Sequence, residues 1–176
     1  MAKEIERKWI LNHFPENLPA PIREKKIETI YLSIDPEIRV SRHTYNEGSK
    51  DITICKVCHK IGEGLSRDEF ECKVDKKFFE DIYQKYCALN LRPIIKHHFL
   101  YDYEGFPLEI SIVDEGTPSE YVYSEVEFDS EEASREYKPP FEKLFAVSGD
   151  SKFFEVTDES WYLMKNYWKR TRWQHL

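Results

Sequence analysis

Ionisable side chains recur at every second position in several segments of this chain, and that spacing restricts the available folds more than any other feature. Glu4, Glu6 and Lys8 fall on one side of a segment whose other side carries Ile5, Arg7 and Trp9. Arg67, Glu69, Glu71 and Lys73 repeat the pattern around Phe70 and Val74, as do Glu125 and Glu127 around Val126 and Phe128. Lys56 and Lys60 share a face with Cys58 between them. A period of two belongs to β-strands. Two arrangements produce it. Each strand can turn its charged face to water, the ordinary outcome for a single strand. Alternatively, the strands close into a barrel whose lumen is charged and whose apolar faces pack outward against helices and loops. Several strands that mix acids with bases favour the barrel.

The rest of the chain reads as short hairpins punctuated by turn signals. Asn12 to Pro21, with three prolines, is a loop, and Ile22 to Lys26 fits a short helix. Strands are expected over Ile27 to Ser33, Glu37 to Thr44, Ile52 to Lys60 and Leu65 to Val74. The turns between them fall at Asp35-Pro36, Asn46-Glu47-Gly48 and Gly62-Glu63-Gly64. Lys76 to Ala88 is the clearest helix: Phe78, Phe79, Ile82, Tyr83 and Tyr86 recur at helical spacing, and Asp75 can cap it. Three more strands are expected over Arg92 to Tyr103, Phe106 to Val113 and Tyr121 to Asp129, then a short helix over Glu131 to Glu136. The Trp-rich, basic tail reads as a C-terminal helix from about 157 to 176, packed on the barrel or plugging one mouth.

With 176 residues, a single domain spanning 1–176 is expected, mainly β in an α+β fold. A net charge of -7 argues against nucleic-acid binding, which needs a basic footprint. No apolar run reaches the length of a membrane span, and Met-Ala-Lys-Glu-Ile-Glu-Arg-Lys carries no signal region, so the expectation is a cytoplasmic protein without a membrane partner. Homodimerisation stays open. The four cysteines should be reduced in that setting. Cys55-Lys-Val-Cys58-His59 matches a haem-attachment pattern, but the segment reads as a strand and the cysteines as ordinary strand residues.

A charged lumen has a coherent chemistry. Lysines and arginines can pair with the closely spaced oxygens of a triphosphate. Carboxylates would repel the same ligand unless a hard divalent cation, which takes carboxylate and phosphate oxygens together, lies between. The order of motifs resembles that of the CYTH domain, or triphosphate tunnel metalloenzyme, family. Glu4-Ile-Glu6-Arg-Lys8 resembles its ExExK signature. Ile38 to Arg42, the glycine turn with Arg67-Asp-Glu69-Phe-Glu71, Lys96-His-His98, Glu109-Ile-Ser111, Glu125-Val-Glu127, and Pro139-Pro140 with 147–153 resemble its later segments in sequence.

The resemblance implies a closed eight-stranded antiparallel β-barrel with flanking helices. It implies a Mg²⁺- or Mn²⁺-dependent hydrolase of inorganic tripolyphosphate or nucleoside triphosphates. A binder of polyphosphate or nucleotide without turnover is the alternative, and an adenylate cyclase the lower one. Carried over position by position, Glu4, Glu6, Glu71, Glu109, Glu125 and Glu127 would serve the metal. Lys8, Arg39, Lys56, Lys60, Arg67, Lys96, His98 and Lys152 would bind phosphate, and Lys8, Lys60 and Glu69 would act in catalysis. The pattern departs at Ser41 and His98, where the family has arginines, and at Ser111, where it has aspartate. Two lost guanidinium forks imply a weaker or specialised basic wall. Arg42 is one residue out of step with Ser41 and is expected on the opposite face.

Overall fold

A computed structural model describes residues 2–16, 18–103, 105–145 and 153–173, apart from the side chains of residues 2, 106 and 145. Among the described residues, nine strands form one antiparallel sheet: β1 (Ala2–Leu11), β2 (Arg23–Ser33), β3 (Glu37–Glu47), β4 (Lys50–Ile61), β5 (Ser66–Val74), β6 (Ile94–Tyr103), β7 (Phe106–Val113), β8 (Tyr121–Glu127) and β9 (Phe153–Glu155). The order β5-β4-β3-β2-β6-β7-β8-β1 closes on itself because the first half of β1 pairs with β5, from Ala2↔Glu69 to Ile5↔Ser66. The expected eight-stranded closed barrel is therefore present. The second half of β1 takes β9 as its neighbour, from Trp9↔Glu155 to Leu11↔Phe153. Closure covers the edge of β5 over residues 66–69, while residues 70–74 of β5 extend beyond the described pairing with β1.

The apolar faces point outward and are covered. Helix α1 (Lys76–Ala88) begins at Asp75, whose carboxylate accepts a 2.7 Å hydrogen bond from the Phe78 amide. It sets fully buried Phe79 into a cluster with Ile30, Val40, Cys55 and Ile94. Burial of a side chain of that size contributes roughly 1.5–3 kcal/mol. Helices α2 (Glu131–Glu136) and α3 (Phe141–Phe145) cover the other flank, where Trp9, Leu108, Ile110, Val122 and Val126 pack under Phe141 and Leu144. Phe70, by contrast, faces outward and is 55% exposed.

A 3₁₀ turn (Ser160–Tyr162) and helix α4 (Met164–Arg172) close one end of the barrel, a shorter helical tail than expected. Lys165 reaches Glu37 and Glu63. Tyr167 donates to Asp114 and to the Ser119 carbonyl, and Arg172 pairs with Asp114 at 2.7 Å. The β2–β3, β4–β5 and β7–β8 turns are thus tied to one plug. Trp168 is fully buried against Tyr31.

Two local expectations are corrected. Residues 23–26 are strand rather than helix, because the backbone from Arg23 to Lys26 is paired with Leu100 to His97 of β6, whose ladder supplies backbone partners that a helix would otherwise provide. The hairpin turn falls at Gly48-Ser49, after the Glu47↔Lys50 pair, with Gly48 at φ +64°, a left-handed conformation that glycine adopts readily. Among the described residues, no helix is long and apolar enough to cross a membrane.

Candidate functional site

Alternation along the strands sends one side chain in two into the lumen. There they line a cavity of about 240 Å³. Its wall carries eight glutamates against four lysines and two arginines, so an anion cannot be its whole complement. From β1 come Glu4, Glu6 and Lys8. Lys60 of β4 places Nζ 2.7 Å from both carboxylate oxygens of Glu4 and 3.3 Å from Glu69. Arg67 of β5 lies 3.1 Å from Glu4 and 3.4 Å from Glu6. Lys8 pairs with Glu125 at 2.8 Å and sits 3.8 Å over the Tyr123 ring. Arg39 faces Tyr31, Glu37 and Glu69, and Lys96 donates to Tyr123 at 2.9 Å.

The carboxylates divide by partner. Glu125 is taken by Lys8, Glu69 by Lys60 and the Cys58 thiol, and Glu71 by Lys56 at the exposed rim, while Glu109 lies 3.6 Å from the His98 ring, beyond hydrogen-bond distance. Glu4, Glu6 and Glu127 converge: their oxygens lie within 4.8 Å of one another, the one group among the described residues with the spacing of a cation site. Lys56 does not line the cavity, and Lys152 falls outside the described residues. Arg42 points outward to Glu28 and over Phe79, and His97 outward to Glu115, as a one-residue offset dictates. Cys55 is in the outer core and Cys58 faces Glu69, so the two cysteines do not share a site.

Burial and charge shift these groups strongly. Burial and then Glu125 push the Glu6 carboxyl up to about 8, against the pull of Lys60 and Arg67. Burial, Glu125 and Glu127 raise Glu109 to about 7. Glu69 is also desolvated, but Lys60, the Cys58 hydrogen bond and Arg39 outweigh that and hold it at about 2. Burial lowers Lys96 to about 8. His98 falls to about 4 and His43 to about 3, from burial first and neighbouring cations second. The substituted positions thus become neutral pairs: Ser41 with His43 at 2.9 Å, and Ser111 with His98 at 3.2 Å.

Several lumen residues escaped the sequence reading. His43 and Glu37 lie in step with Arg39, so continuing the period of two would have found them; Tyr123, in step with Glu125, does not line the cavity but meets Lys8 and Lys96. Lys25 was hidden by the helical reading of residues 22–26. Tyr162, Leu163 and Met164 line the cavity from the plug, and no strand period could indicate that.

The fold and its lining define a closed barrel with a charged interior. No protein-family model matches the chain, and no curated protein does. Solved structures do. The chain is similar to the crystal structure of the hypothetical protein NE1496, with 23% identity, a TM-score of 0.57, and coverage of 93% of this chain and 96% of that one. It is also similar to the PH1819 protein from Pyrococcus horikoshii OT3, with 17% identity, a TM-score of 0.54, and coverage of 86% and 93%. At these identities the likeness concerns the fold alone.

Proposed function

We propose that the chain is a divalent-metal-dependent triphosphatase of the triphosphate-tunnel class, taking inorganic tripolyphosphate or a nucleoside triphosphate into its lumen. The observation that carries this reading is the convergence of Glu4, Glu6 and Glu127 in the same cavity as Lys8, Lys60 and Arg67. The three carboxylates offer oxygen ligands only, which suits Mg²⁺ or Mn²⁺. Burial first and Glu125 second raise Glu6, and a cation there would offset both the lost solvation and the neighbouring charge. Bound there, such an ion would polarise a phosphoryl oxygen and offset the carboxylate charge.

The chain's own residues would supply the rest. Lys8, Lys60, Arg67, Arg39 and Lys96 would pair with phosphate oxygens and neutralise charge on the leaving group. Glu109, near 7, is matched to accept a proton from an attacking water at neutral pH. Glu69, held at about 2, is a poor base and suits the orientation of Lys60 instead. A cytoplasmic setting belongs to the same reading and agrees with four unpaired cysteines.

The neutral pairs Ser41–His43 and Ser111–His98 favour a second reading, a polyphosphate or nucleotide binder without turnover. A phosphate-release screen over tripolyphosphate and nucleoside triphosphates, with Mg²⁺ and Mn²⁺, separates the two. Hydrolysis predicts release that is lost in Glu4→Gln and Glu127→Gln. Saturable binding by folded protein with no release selects the binder, and neither binding nor release refutes both.

A further inference from the structure

Hydrogen-bonding groups follow one another along the lumen wall from β6 to β7 by way of β8. Lys96 Nζ donates to Tyr123 Oη at 2.9 Å. Tyr123 and Ser111 are direct cross-strand neighbours, which sets the Ser111 hydroxyl beside Tyr123 on the same face of the sheet. Ser111 Oγ is 3.2 Å from His98 Nδ1, and His98 Nε2 is 3.6 Å from Glu109. Tyr123, Ser111 and His98 are all buried. An ammonium group only donates, so Tyr123 Oη accepts from Lys96. The Tyr123 hydroxyl proton is then free to turn towards Ser111, whose own hydroxyl donates to Nδ1 of a neutral imidazole; the Nε2–H faces Glu109 from 3.6 Å, beyond hydrogen-bond distance. Burial, with Lys96 and Lys25 nearby, keeps that imidazole neutral. The two buried hydrogen bonds, Lys96–Tyr123 and Ser111–His98, hold these groups in place on adjoining strands.

We infer that Tyr123, Ser111 and His98 are positioning residues that fix the Lys96 ammonium on the lumen wall, so that its remaining N–H bonds are aimed at the oxygens of a polyanion. The inference rests on the polyanion site proposed above. Lysine carries its charge on a flexible four-carbon stem, and ordering that stem normally weakens binding. Here the tyrosine hydroxyl orders it beforehand. His98 and Ser111 stand where the resembled family has an arginine and an aspartate. In this chain they present no fixed charge to the ligand and act through Tyr123 on a neighbouring cation.

The test measures binding of a methylene-bridged tripolyphosphate analogue with Mg²⁺ by calorimetry. It also follows the Lys96 side-chain NMR resonance in ligand-free protein. Tyr123→Phe and Ser111→Ala should each weaken binding roughly threefold to tenfold, the effect of one neutral hydrogen bond, while Ser111→Thr, which keeps the hydroxyl, should bind like the parent. In a Lys96→Met background the Tyr123→Phe effect should vanish, whereas a purely structural role would leave it in place. Without ligand, the Lys96 resonance should move in Ser111→Ala and return in Ser111→Thr. An unmoved resonance, unchanged affinities, or an undiminished Tyr123→Phe effect in the Lys96→Met background overturns the positioning role. Failure of the parent protein to bind the analogue, with the resonance moving as stated, overturns the polyanion site and leaves the ordering of Lys96 established.

Discussion

Glu6 of β1 and Glu127 of β8 are direct cross-strand partners, so two carboxylates that repel one another are held on one face of a closed sheet. Glu4 completes the group within 4.8 Å. Like charges opposite each other destabilise a sheet; burial first, and then neighbouring glutamates, raise both Glu6 and Glu127.

A divalent cation should relieve this repulsion. At a Mg²⁺ concentration a hundred times its Kd, binding adds about 2.7 kcal/mol. For a chain of this length that corresponds to a rise in Tm of about 5–10 °C. Glu127→Gln should melt no lower than the parent in EDTA, because it removes one of the repelling charges, and should show little response to Mg²⁺. Thermal melts of both proteins with and without the ion check this; an equal Mg²⁺ shift in both would exclude Glu127 from the site.

Stability of the metal-free protein should fall as pH rises from about 6.5 to 8. Glu6 and Glu109 hold protons in the folded state, up to about 8 and about 7, that they release near 4.5 when unfolded. Their contribution is complete below the unfolded value and is lost as pH passes the folded one. His98 and His43, at about 4 and about 3 in the fold against 6.5 unfolded, act the other way and only below 6.5. Between 6.5 and 8 the carboxyl groups therefore dominate, each with a slope of up to about 1.4 kcal/mol per pH unit. Urea unfolding in EDTA across this range should show the decline, and Glu6→Gln should flatten most of it.

Asp114 anchors the plug. Its carboxylate takes the Tyr167 hydroxyl, the Arg172 guanidinium at 2.7 Å and the Ile95 amide at 3.0 Å. Asp114→Ala leaves a mostly buried guanidinium without its counter-charge, which costs about 3–5 kcal/mol. Hydrogen exchange should accelerate across 164–172 well before it does in β2 or β3. Uniform acceleration throughout the chain would show that the plug is not a separate unit.

Phe79→Ala tests the outer core independently of the lumen. Loss of a fully buried phenylalanine costs about 3–5 kcal/mol, read from the urea midpoint. The Kd for Mg²⁺ should be unchanged in the folded variant, since Phe79 contacts the back of the sheet rather than the cavity.

The period of two made most of the barrel legible, along with the inward set on β1, β5 and β8, and aromatic spacing located α1 at its observed bounds. The start of β2 was hidden because Arg23-Glu24-Lys25-Lys26 has no apolar alternation; its strand form comes from pairing with β6. β9 was missed for a similar reason: three residues become a strand through partners at Trp9 to Leu11. The division of labour among the glutamates was also beyond the sequence. Glu125 and Glu127 look alike in one dimension. Cross-strand register sets Glu125 beside Lys8 and Glu127 beside Glu6, and only that separates an ion-paired carboxylate from a candidate ligand.

β1 comes before the other described strands in the chain, yet it is the last to have all its neighbours. β1 waits for β5, then β8, then β9, whose Glu155 pairs with Trp9 from the far end of the described chain. Contacts so distant in sequence slow folding and prolong exposure of unpaired strands. Because Glu4 and Glu6 ride on that strand, the carboxylate triad cannot assemble until translation has passed β8, so cation capture would report on a finished barrel rather than on a nascent one.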